Sequence, residues 1–272
     1  MNFFIAQSSA IHTTVQDWSR RVVKNGGALP SGDTHRALSN FCGGLDKYGL
    51  ASKMRAVNCF VPDNLIASTT PLIKTYGNDP WTNAAFVASD LTIAGLKGDG
   101  STKYLDTGVN PSTALAVGSA GCSIYVSLGN TGSESDNGVW SATPAANQMG
   151  MYISYGGSSY WDCWNSNGGR TSGANASFTG FITFNRTSTT SENVYKASST
   201  VPYTAIAVAS GQSSIGTQPN ANIYIFRQNG NTGGSSKRFS FAAIHDGLSV
   251  NDGASFFNLV QTMRQQLGGG YV

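Results

Sequence analysis

The spacing of apolar residues changes from a helical to an alternating pattern near residue 90. In the first part, Val15, Trp18 and Val22 follow Ile11 at steps of four and three. Such steps place these side chains on one face of a helix. The letters KNGG after this stretch supply a basic last turn and a glycine stop, so we predict a helix that ends near Lys24.

A second helix is predicted to begin near Ser31 or Asp33. Its apolar side consists of Ala37, Leu38, Phe41 and Leu45. Two glycines at positions 43 and 44 weaken this prediction, because glycine costs about 1 kcal/mol relative to alanine inside a helix. The apolar stretch 50–61 fits a short helix or an irregular segment, and 64–90 is predicted to be mostly loop.

Beyond residue 95 the pattern indicates β-strands. In the segment MGMYISY, the residues Met149, Met151 and Ile153 alternate with Tyr152 and Ser154. A similar segment, CSIYVSL, precedes it. Others follow it along the chain, namely FITF, YTAIAVA, NIYIF and RFSFAAIH. Alternation of this kind is typical of antiparallel strands with one buried face, and many short strands between turn residues predict a sandwich or a barrel.

The chain closes on a helical pattern over residues 249–267. Ser249 is predicted as the N-cap with Asp252 three residues later. Phe256, Val260 and Met263 form one apolar stripe before the glycines. We therefore predict a mainly β protein, an antiparallel β-sandwich of jelly-roll type over 91–272 with one closing helix. A small helical region, 1–90, precedes it as an anchor or assembly segment.

Composition and charge narrow the classes of partner. Charged residues make up 11% of the chain, against roughly 25% in an ordinary globular protein. The formal net charge is +3 and the longest basic run is Arg20–Arg21, so no nucleic-acid-binding stripe is expected. The apolar patch from Phe3 to Ala6 is too short for a signal-peptide core or a membrane span. We expect neither a leader nor membrane insertion.

Four cysteines leave two alternatives open. Their spacing contains no CxxC pair and matches no zinc pattern, while an even count permits two disulfides. The simpler interpretation is four separate buried residues, since cysteine prefers protein interiors. These residues are Cys42, Cys59, Cys122 and Cys163.

The glycine-rich segment GLKGDGSTKYLDTG, residues 95–108, invites three interpretations. The order of residues in a phosphate-binding Walker loop is absent. The two acids, Asp99 and Asp106, do not form the oxygen ladder of an EF-hand. A looser calcium site at the edge of the sandwich stays open as an alternative, but only two aspartates are nearby and calcium prefers several oxygen ligands, so no cofactor is predicted. The remaining interpretation is a turn whose glycines allow positive φ, followed by a strand with Tyr104 and Leu105 on opposite faces.

Catalytic groups are scarce in the sequence. A retaining glycosidase needs two carboxyls about 5 Å apart, and no predicted strand carries two acids on one face. Glu134 and Asp136 are two residues apart in a segment predicted to be a solvated turn, and Glu192 stands alone. No nucleophile motif accompanies the three histidines. The sequence therefore predicts no enzyme activity and no catalytic residue.

The aromatic segment YGGSSYWDCWNSNGG provides the candidate binding site. On a strand, Trp161 and Cys163 share one face, and the other face presents a candidate glycan site. That site consists of Tyr160, Asp162, Trp164 and Asn165, with a further amide from Asn167. Sugars stack on aromatic rings and accept hydrogen bonds from such a rim. The alternative is that these aromatics are ordinary core packing, and the exposure of Trp161 and Trp164 decides between the two.

Two segments carry short motifs, LKGDGSTKYLDTGVNPS and the stretch from FSFAAIHDGLS to the end. The first is similar to the opening, and the second to the last strand, turn and helix, of the concanavalin A-like (laminin-G-like) jelly rolls of bacteriophage structural proteins. The matching residues of the opening are Gly98, Gly100, Tyr104, Leu105, Asp106, Thr107, Gly108, Asn110, Pro111 and Ser112.

The resemblance implies a non-enzymatic virion protein, assembled in the host cytoplasm, in a tail, a fibre or on the head surface. It implies a homo-oligomer that contacts other virion proteins and binds host surface glycans through a lectin-like domain. Two alternatives stay open at this point. One is a purely structural decoration or connector protein without a ligand, and the other is a glycan-cleaving enzyme. The latter requires two carboxylates that face each other across a groove.

Overall fold

A computed structural model gives the structure of the protein, and it describes residues 10–129, 134, 136–139, 148–165, 170–210 and 217–269. Five α-helices lie in this part: α1 Thr13–Lys24, α2 Gly32–Lys47, α3 Leu65–Thr69, α4 Pro111–Ala114 and α5 Val250–Gln266. Two short 3-10 turns cover Ala51–Lys53 and Ala88–Asp90.

Seventeen strands are described in the same part of the chain. The first nine are β1 Met54–Asn58, β2 Ile73–Lys74, β3 Thr82–Ala84, β4 Leu91–Thr92, β5 Gly95–Lys97, β6 Tyr104–Asp106, β7 Ala120–Leu128, β8 Asn137–Val139 and β9 Met149–Tyr155. The others are β10 Ser158–Cys163, β11 Thr171–Ala174, β12 Gly180–Arg186, β13 Ser191–Ala197, β14 Thr204–Ser210, β15 Tyr224–Ile225, β16 Gln228–Asn229 and β17 Arg238–His245.

The strands form two sheets. The first sheet has the order β14-β13-β12-β7-β17-β1-β2, with β5 also on β17 and β4 on β5. The second sheet has the order β11-β10-β9-β8-β15-β6-β3, with β16 also on β8. Pairing is antiparallel throughout, apart from the short parallel pair of β16 and β8. The predicted antiparallel β-sandwich is confirmed.

Two apolar cores divide the molecule into three layers. The inner core lies between the sheets and includes Ile124, Met151 and Ile244. The second core lies between the outer face of the first sheet and the helices, where Phe181 and Phe241 meet Phe256 of α5. Sheet residues therefore alternate between the two cores, as the period of two in the sequence predicts.

The helical predictions hold with small shifts. In α1, Val15, Trp18 and Val22 are buried, while Ile11 precedes the helix and is exposed. The closing helix begins with the predicted capping box, in which Ser249 and Asp252 accept hydrogen bonds from each other's backbone N–H.

Helix α2 continues through both of its glycines. A Cβ atom at Gly44 would lie 2.2 Å from Cδ2 of Leu259 in α5, whereas nothing lies within 4 Å of one at Gly43. The missing side chain at Gly44 thus lets α2 and α5 pack closely. This contact, which involves a residue more than 200 positions away, explains why a helix-weakening residue stands there.

Residues 1–90 contribute strands as well as helices. The stretch 50–61, predicted as a short helix or an irregular segment, contains a 3-10 turn and then β1, which pairs with β17 in the middle of the first sheet. That part of the prediction is wrong, because a strand buried on both faces has no alternation to reveal it. The segment 64–90, predicted as mostly loop, contains α3, β2 and β3.

The glycine-rich segment 95–108 is a turn between strands. Gly100 has φ +81°, a conformation that glycine adopts without a steric cost. The next strand places Leu105 in the inner core and leaves Tyr104 half-buried on the opposite face. The predicted alternation is confirmed, and the segment marks the entry into β6.

The remaining predictions on the chain have mixed outcomes. All four cysteines are free and buried, so the interpretation as separate residues is confirmed. The patch from Phe3 to Ala6 lies outside the described residues. Among the helices that the structure describes, none is long and apolar enough to cross a membrane.

Candidate functional site

The outer face of the second sheet carries polar and aromatic side chains and none of the five described helices packs on it. Direct strand pairing aligns Asp162 with Gly150, Gly150 with Gly138, and Gly138 with Tyr224. Paired residues in antiparallel strands project to the same side. This row therefore crosses four neighbouring strands on one face.

Both tryptophans of the aromatic segment are buried, namely Trp161 and Trp164, of which only Trp164 belonged to the predicted glycan site. Trp161 and Cys163 point into the inner core, as the alternation predicts. Trp164, predicted on the opposite face, also lies in that core. The alternation ends at Cys163, where β10 stops, and Trp164 adopts φ +45°. Its Nε1 donates a hydrogen bond to the Val117 carbonyl at 2.9 Å. Both rings are inaccessible to a ligand in this structure, so neither can serve as a stacking platform.

Asn165 belongs to a buried ion pair. Its Oδ1 accepts a hydrogen bond from Arg186, and its Nδ2 donates one to Oε2 of Glu192 at 3.2 Å. The side chains of Arg186 and Glu192 are fully buried and form a salt bridge. Asn165 therefore completes the hydrogen bonding of a buried charge pair, a role that buried charges require. Asn167 lies outside the described residues.

Tyr160 and Asp162, the other two predicted residues, lie together on the outer face. The rings of Tyr152, Tyr155 and Tyr160 meet edge to face, with centroids 5.8 to 6.3 Å apart. Tyr155 is 47% exposed and Tyr160 is half-buried. We call the group Tyr152, Tyr155, Tyr160, Asp162 and Arg170 the tyrosine surface.

Arg170, which the sequence prediction missed, joins this group from the segment before β11. Its guanidinium carbon lies 5.1 Å from the ring centroid of Tyr152 and 5.3 Å from that of Tyr160. Nε donates to Oδ1 of Asp162 at 3.0 Å, and Nη2 donates to Oδ2 at 2.8 Å. Burial alone would lower the pKa of the guanidinium, but the hydrogen bonds and charge of Asp162 raise it. Burial raises the pKa of the Asp162 carboxyl, although Arg170 opposes this shift. The guanidinium is therefore charged.

A donor without a partner lies beside the tyrosine surface. Gln228 is fully buried, and its Oε1 accepts a hydrogen bond from the Tyr152 hydroxyl at 3.3 Å. Its Nε2 has no hydrogen-bond partner. A Cβ atom on Gly150 would lie 2.9 Å from this Nε2 and 3.1 Å from Oδ2 of Asp162. A side chain at this position would clash, so the glycine lets the amide of Gln228 and the carboxylate of Asp162 pack closely over the strand.

Glu134 and Asp136 form a second polar cluster, which corrects the prediction of a solvated turn. Asp136 is fully buried and Glu134 is half-buried. Nζ of Lys237, also fully buried, donates to Oε2 of Glu134 and to Oδ1 of Asp136, each at 2.9 Å. The two carboxylates therefore share one buried cation.

The two carboxyls of this cluster differ in proton affinity. Burial raises the pKa of Asp136, although Lys237 and Ser235 oppose the shift. Burial would also raise the pKa of Glu134, but hydrogen bonds from Ser236 and Lys237 lower it. Oδ2 of Asp136 accepts from the backbone N–H of Ile153 at 2.7 Å. Ile153 follows Tyr152, so the cluster adjoins the tyrosine surface.

The other polar groups singled out in the sequence are structural. Oδ1 of Asp99 accepts hydrogen bonds from the backbone N–H groups of residues 101, 102 and 103. It therefore holds the glycine-rich turn. Within the described ranges, no group of three or more His, Cys, Asp or Glu side chains is placed to hold a metal ion.

His245 lies in a buried hydrogen-bonded chain. The Asp246 carbonyl can only accept, so Nδ1 carries the proton and donates to it at 2.7 Å. Nε2 then accepts from the Ser123 hydroxyl at 2.8 Å. Ser123 and His245 are both fully buried. This serine–histidine pair, far apart in sequence, therefore links β7 and β17 beneath the helices.

Comparisons with known proteins give structural neighbours only. No protein-family model and no curated protein matches the chain. A mutant GH54 α-L-arabinofuranosidase soaked with 4-nitrophenyl α-L-arabinofuranoside matches at TM-score 0.45 and 12% identity, over 64% of this chain and 40% of that one. Domain 4 of AbnA, a GH43 extracellular arabinanase from Geobacillus stearothermophilus in complex with arabinotriose, matches at TM-score 0.45 and 11% identity, over 77% and 98%.

An arabinofuranosidase complexed with arabinofuranosyl-α-1,2-xylobiose matches at TM-score 0.46 and 10% identity, over 81% of this chain and 48% of that one. The chain thus spans about two fifths to one half of the two arabinofuranosidases. At such identities and TM-scores the likeness identifies no functional residue.

These neighbours correct the function predicted from the sequence. They are parts of glycan-cleaving enzymes, which contradicts the prediction of a non-enzymatic virion protein. The short motifs that resemble phage proteins mark positions in a β-sandwich, and a fold does not fix a function.

Proposed function

We propose that the chain binds glycans on the outer face of its second sheet, as part of a glycan-cleaving protein. The observation that carries the proposal is the tyrosine surface, where Tyr155 and Tyr160 present ring surface beside the ion pair of Asp162 and Arg170. Aromatic rings pack against the apolar C–H faces of a sugar. Adjacent charged groups supply hydrogen bonds that fix its hydroxyls.

Gln228 helps to hold this surface in place. Its buried side chain accepts a hydrogen bond from the Tyr152 hydroxyl at 3.3 Å, and its Nε2 packs beside Gly150 and Asp162. Because Gln228 is fully buried, we assign it a positioning role beneath Tyr152, in keeping with the need of a binding site for a rigid support.

The proposal is tested by titrating the purified protein with soluble arabinan and xylan, using affinity electrophoresis and calorimetry. Tyr160→Ala is expected to weaken binding by about tenfold, equivalent to about 1.4 kcal/mol. Tyr48→Ala is the matched control, because Tyr48 is 50% exposed at the end of α2. The proposal fails if no polysaccharide binds, or if the two variants bind alike.

A second candidate function is hydrolysis of the bound glycan by Glu134 and Asp136. The favouring observation is that both carboxylates contact one ammonium group, Nζ of Lys237, each at 2.9 Å. Their pKa values are shifted in opposite directions, as the division into acid and nucleophile requires. The burial of Asp136 means that a substrate must open this cluster before it can reach both groups.

Release of reducing sugar from arabinan and xylan tests this second function. Glu134→Gln is expected to abolish release while the glycan affinity stays within twofold of wild type. Thermal unfolding of Glu134→Gln distinguishes a catalytic role of the cluster from a purely structural one. If the wild type releases no sugar, and Glu134→Gln only lowers the unfolding temperature, the cluster is structural and the second function is wrong.

A further inference from the structure

Arg170 directs one edge of its guanidinium at Asp162 and also interacts with the Tyr152 hydroxyl. Nε and one N–H of Nη2 point at the two oxygens of Asp162. A guanidinium has five N–H donors in a fixed fork, so Nη1 and the second N–H of Nη2 form another edge. The side chain is 38% exposed. The exposed part of this second edge is therefore within reach of a ligand.

Another partly buried arginine shows what a structural role looks like in this protein. Arg21 is 17% exposed and directs its nitrogens at Asp17, Asp79 and the carbonyls of Pro71 and Leu72. The nitrogens of its guanidinium therefore donate to acceptors within the protein. Arg170, in contrast, is held by the Asp162 carboxylate and by the rings of Tyr152 and Tyr160, so its position is fixed while 38% of its side chain is exposed.

A second arginine lies over a tyrosine farther along the same face. The guanidinium carbon of Arg227 is 5.2 Å from the ring centroid of Tyr104, which stacks on Tyr224 at 4.6 Å. Tyr224 belongs to the row that pairs through Gly138 and Gly150 to Asp162. The two ends of this row are three strand spacings apart, or about 14 Å.

We propose that the ligand of this face is an acidic polysaccharide, whose uronate carboxylates bind the exposed edge of Arg170 and, farther along the chain, Arg227. A carboxylate matches the two parallel N–H groups of a guanidinium edge, which makes this pairing both strong and directional. One sugar unit cannot reach both arginines, so the face selects a chain with repeated carboxylates. This inference rests on the proposed glycan-binding function and specifies its ligand.

The test compares polygalacturonate with its methyl ester, which has the same backbone without the charges. We expect the wild type to bind polygalacturonate at least tenfold more tightly, and raising NaCl from 50 to 500 mM to weaken binding, since salt screens exposed charges. The double variant Asp162→Asn, Arg170→Gln is expected to lose this preference. It leaves no unpaired buried carboxylate, and thermal unfolding checks that it is folded.

Arg36→Gln is the matched control, because Arg36 is also exposed and paired with an aspartate, Asp33, at 2.6 Å. It should keep the full preference, and Arg227→Gln should lose part of it for long chains only. Equal binding of the acid and the ester, with Tyr160→Ala still impaired, would overturn the acidic ligand and leave the glycan site in place. Failure to bind any polysaccharide, neutral or acidic, would overturn the proposed function itself.

Discussion

The two sheets of the sandwich present their outer faces to different surroundings. The first sheet turns Tyr125, Phe181 and Phe241 towards α5 and the N-terminal helices, and all three are fully buried. The second sheet turns Tyr152, Tyr160 and Asp162 outwards, beside Arg170. Both faces arise from the same period of two along their strands.

The same alternation along the strands thus serves a different role on each sheet. On the first sheet the outward residues are apolar and helices cover them. The burial of this apolar surface stabilises the folded state. On the second sheet they are amphipathic, and each polar group is oriented by a neighbour, as Asp162 orients Arg170. Such fixed polar groups on a rigid sheet are what a binding site needs. The predictions below separate these two roles.

The largest expected effect comes from Phe241→Ala, under the helices. Phe241 contacts the rings of Phe41, Phe181 and Phe256. Its truncation leaves a cavity between sheet and helices, so we expect the free energy of unfolding to fall by about 3–5 kcal/mol. Urea unfolding followed by circular dichroism measures this. Glycan affinity of the folded variant should stay unchanged, and a parallel loss of affinity would contradict the division between the two faces.

Acidification should weaken the helix-covered side through His245. Burial lowers the pKa of its imidazole from 6.5 to about 4, although the hydrogen bond to Asp246 opposes the shift. Between these values the unfolded chain binds a proton that the folded chain does not. The free energy of unfolding therefore falls as the pH is lowered through this window, by up to about 3 kcal/mol.

Urea unfolding at pH 7 and at pH 4.5 measures this pH dependence. His245→Gln should be less stable at pH 7 and should lose less stability on acidification than the wild type. His12 and His35 remain in both proteins, so the difference between the two slopes isolates His245. Equal slopes would show that His245 is not the group responsible.

Two substitutions in α2, where it packs on α5, should change the free energy of unfolding by smaller amounts and in opposite directions. Gly44→Ala would push against Leu259, and overpacking of this kind costs about 1–3 kcal/mol. The gain in helix propensity offsets part of it, so we expect a net loss of about 1 kcal/mol. Gly43→Ala meets no neighbour and should gain about 0.5–1 kcal/mol. Thermal unfolding of the two variants checks the signs, and equal signs would contradict this account.

The smallest expected effect on stability is that of Tyr155→Ala on the second sheet. Tyr155 is 47% exposed at the end of β9, so its removal should change the free energy of unfolding by no more than about 0.5 kcal/mol. Glycan binding should nevertheless weaken several-fold. A variant that unfolds readily, or binds as the wild type does, would show that this tyrosine is structural.

The sequence determined the local structure well where one face of an element is buried. The alternation in MGMYISY placed Met149 and Met151 in the core and Tyr152 outside, and the stripe in α5 named its buried residues. Two of the four predicted site residues, Tyr160 and Asp162, lie on the outer face. Trp164 does not, because strand alternation ceases where its strand ends.

The partners of these residues were decided only by the tertiary structure. Arg170 reaches Asp162 from eight positions away, Gln228 approaches Gly150 from 78 positions away, and Lys237 joins Glu134 and Asp136 from about 100 positions away. Hydrophobic periodicity reports which side of an element is buried, and it contains no information on which distant segment covers it. Pairing of strands across the sheets therefore created both polar clusters, which the sequence displayed only as isolated charged residues.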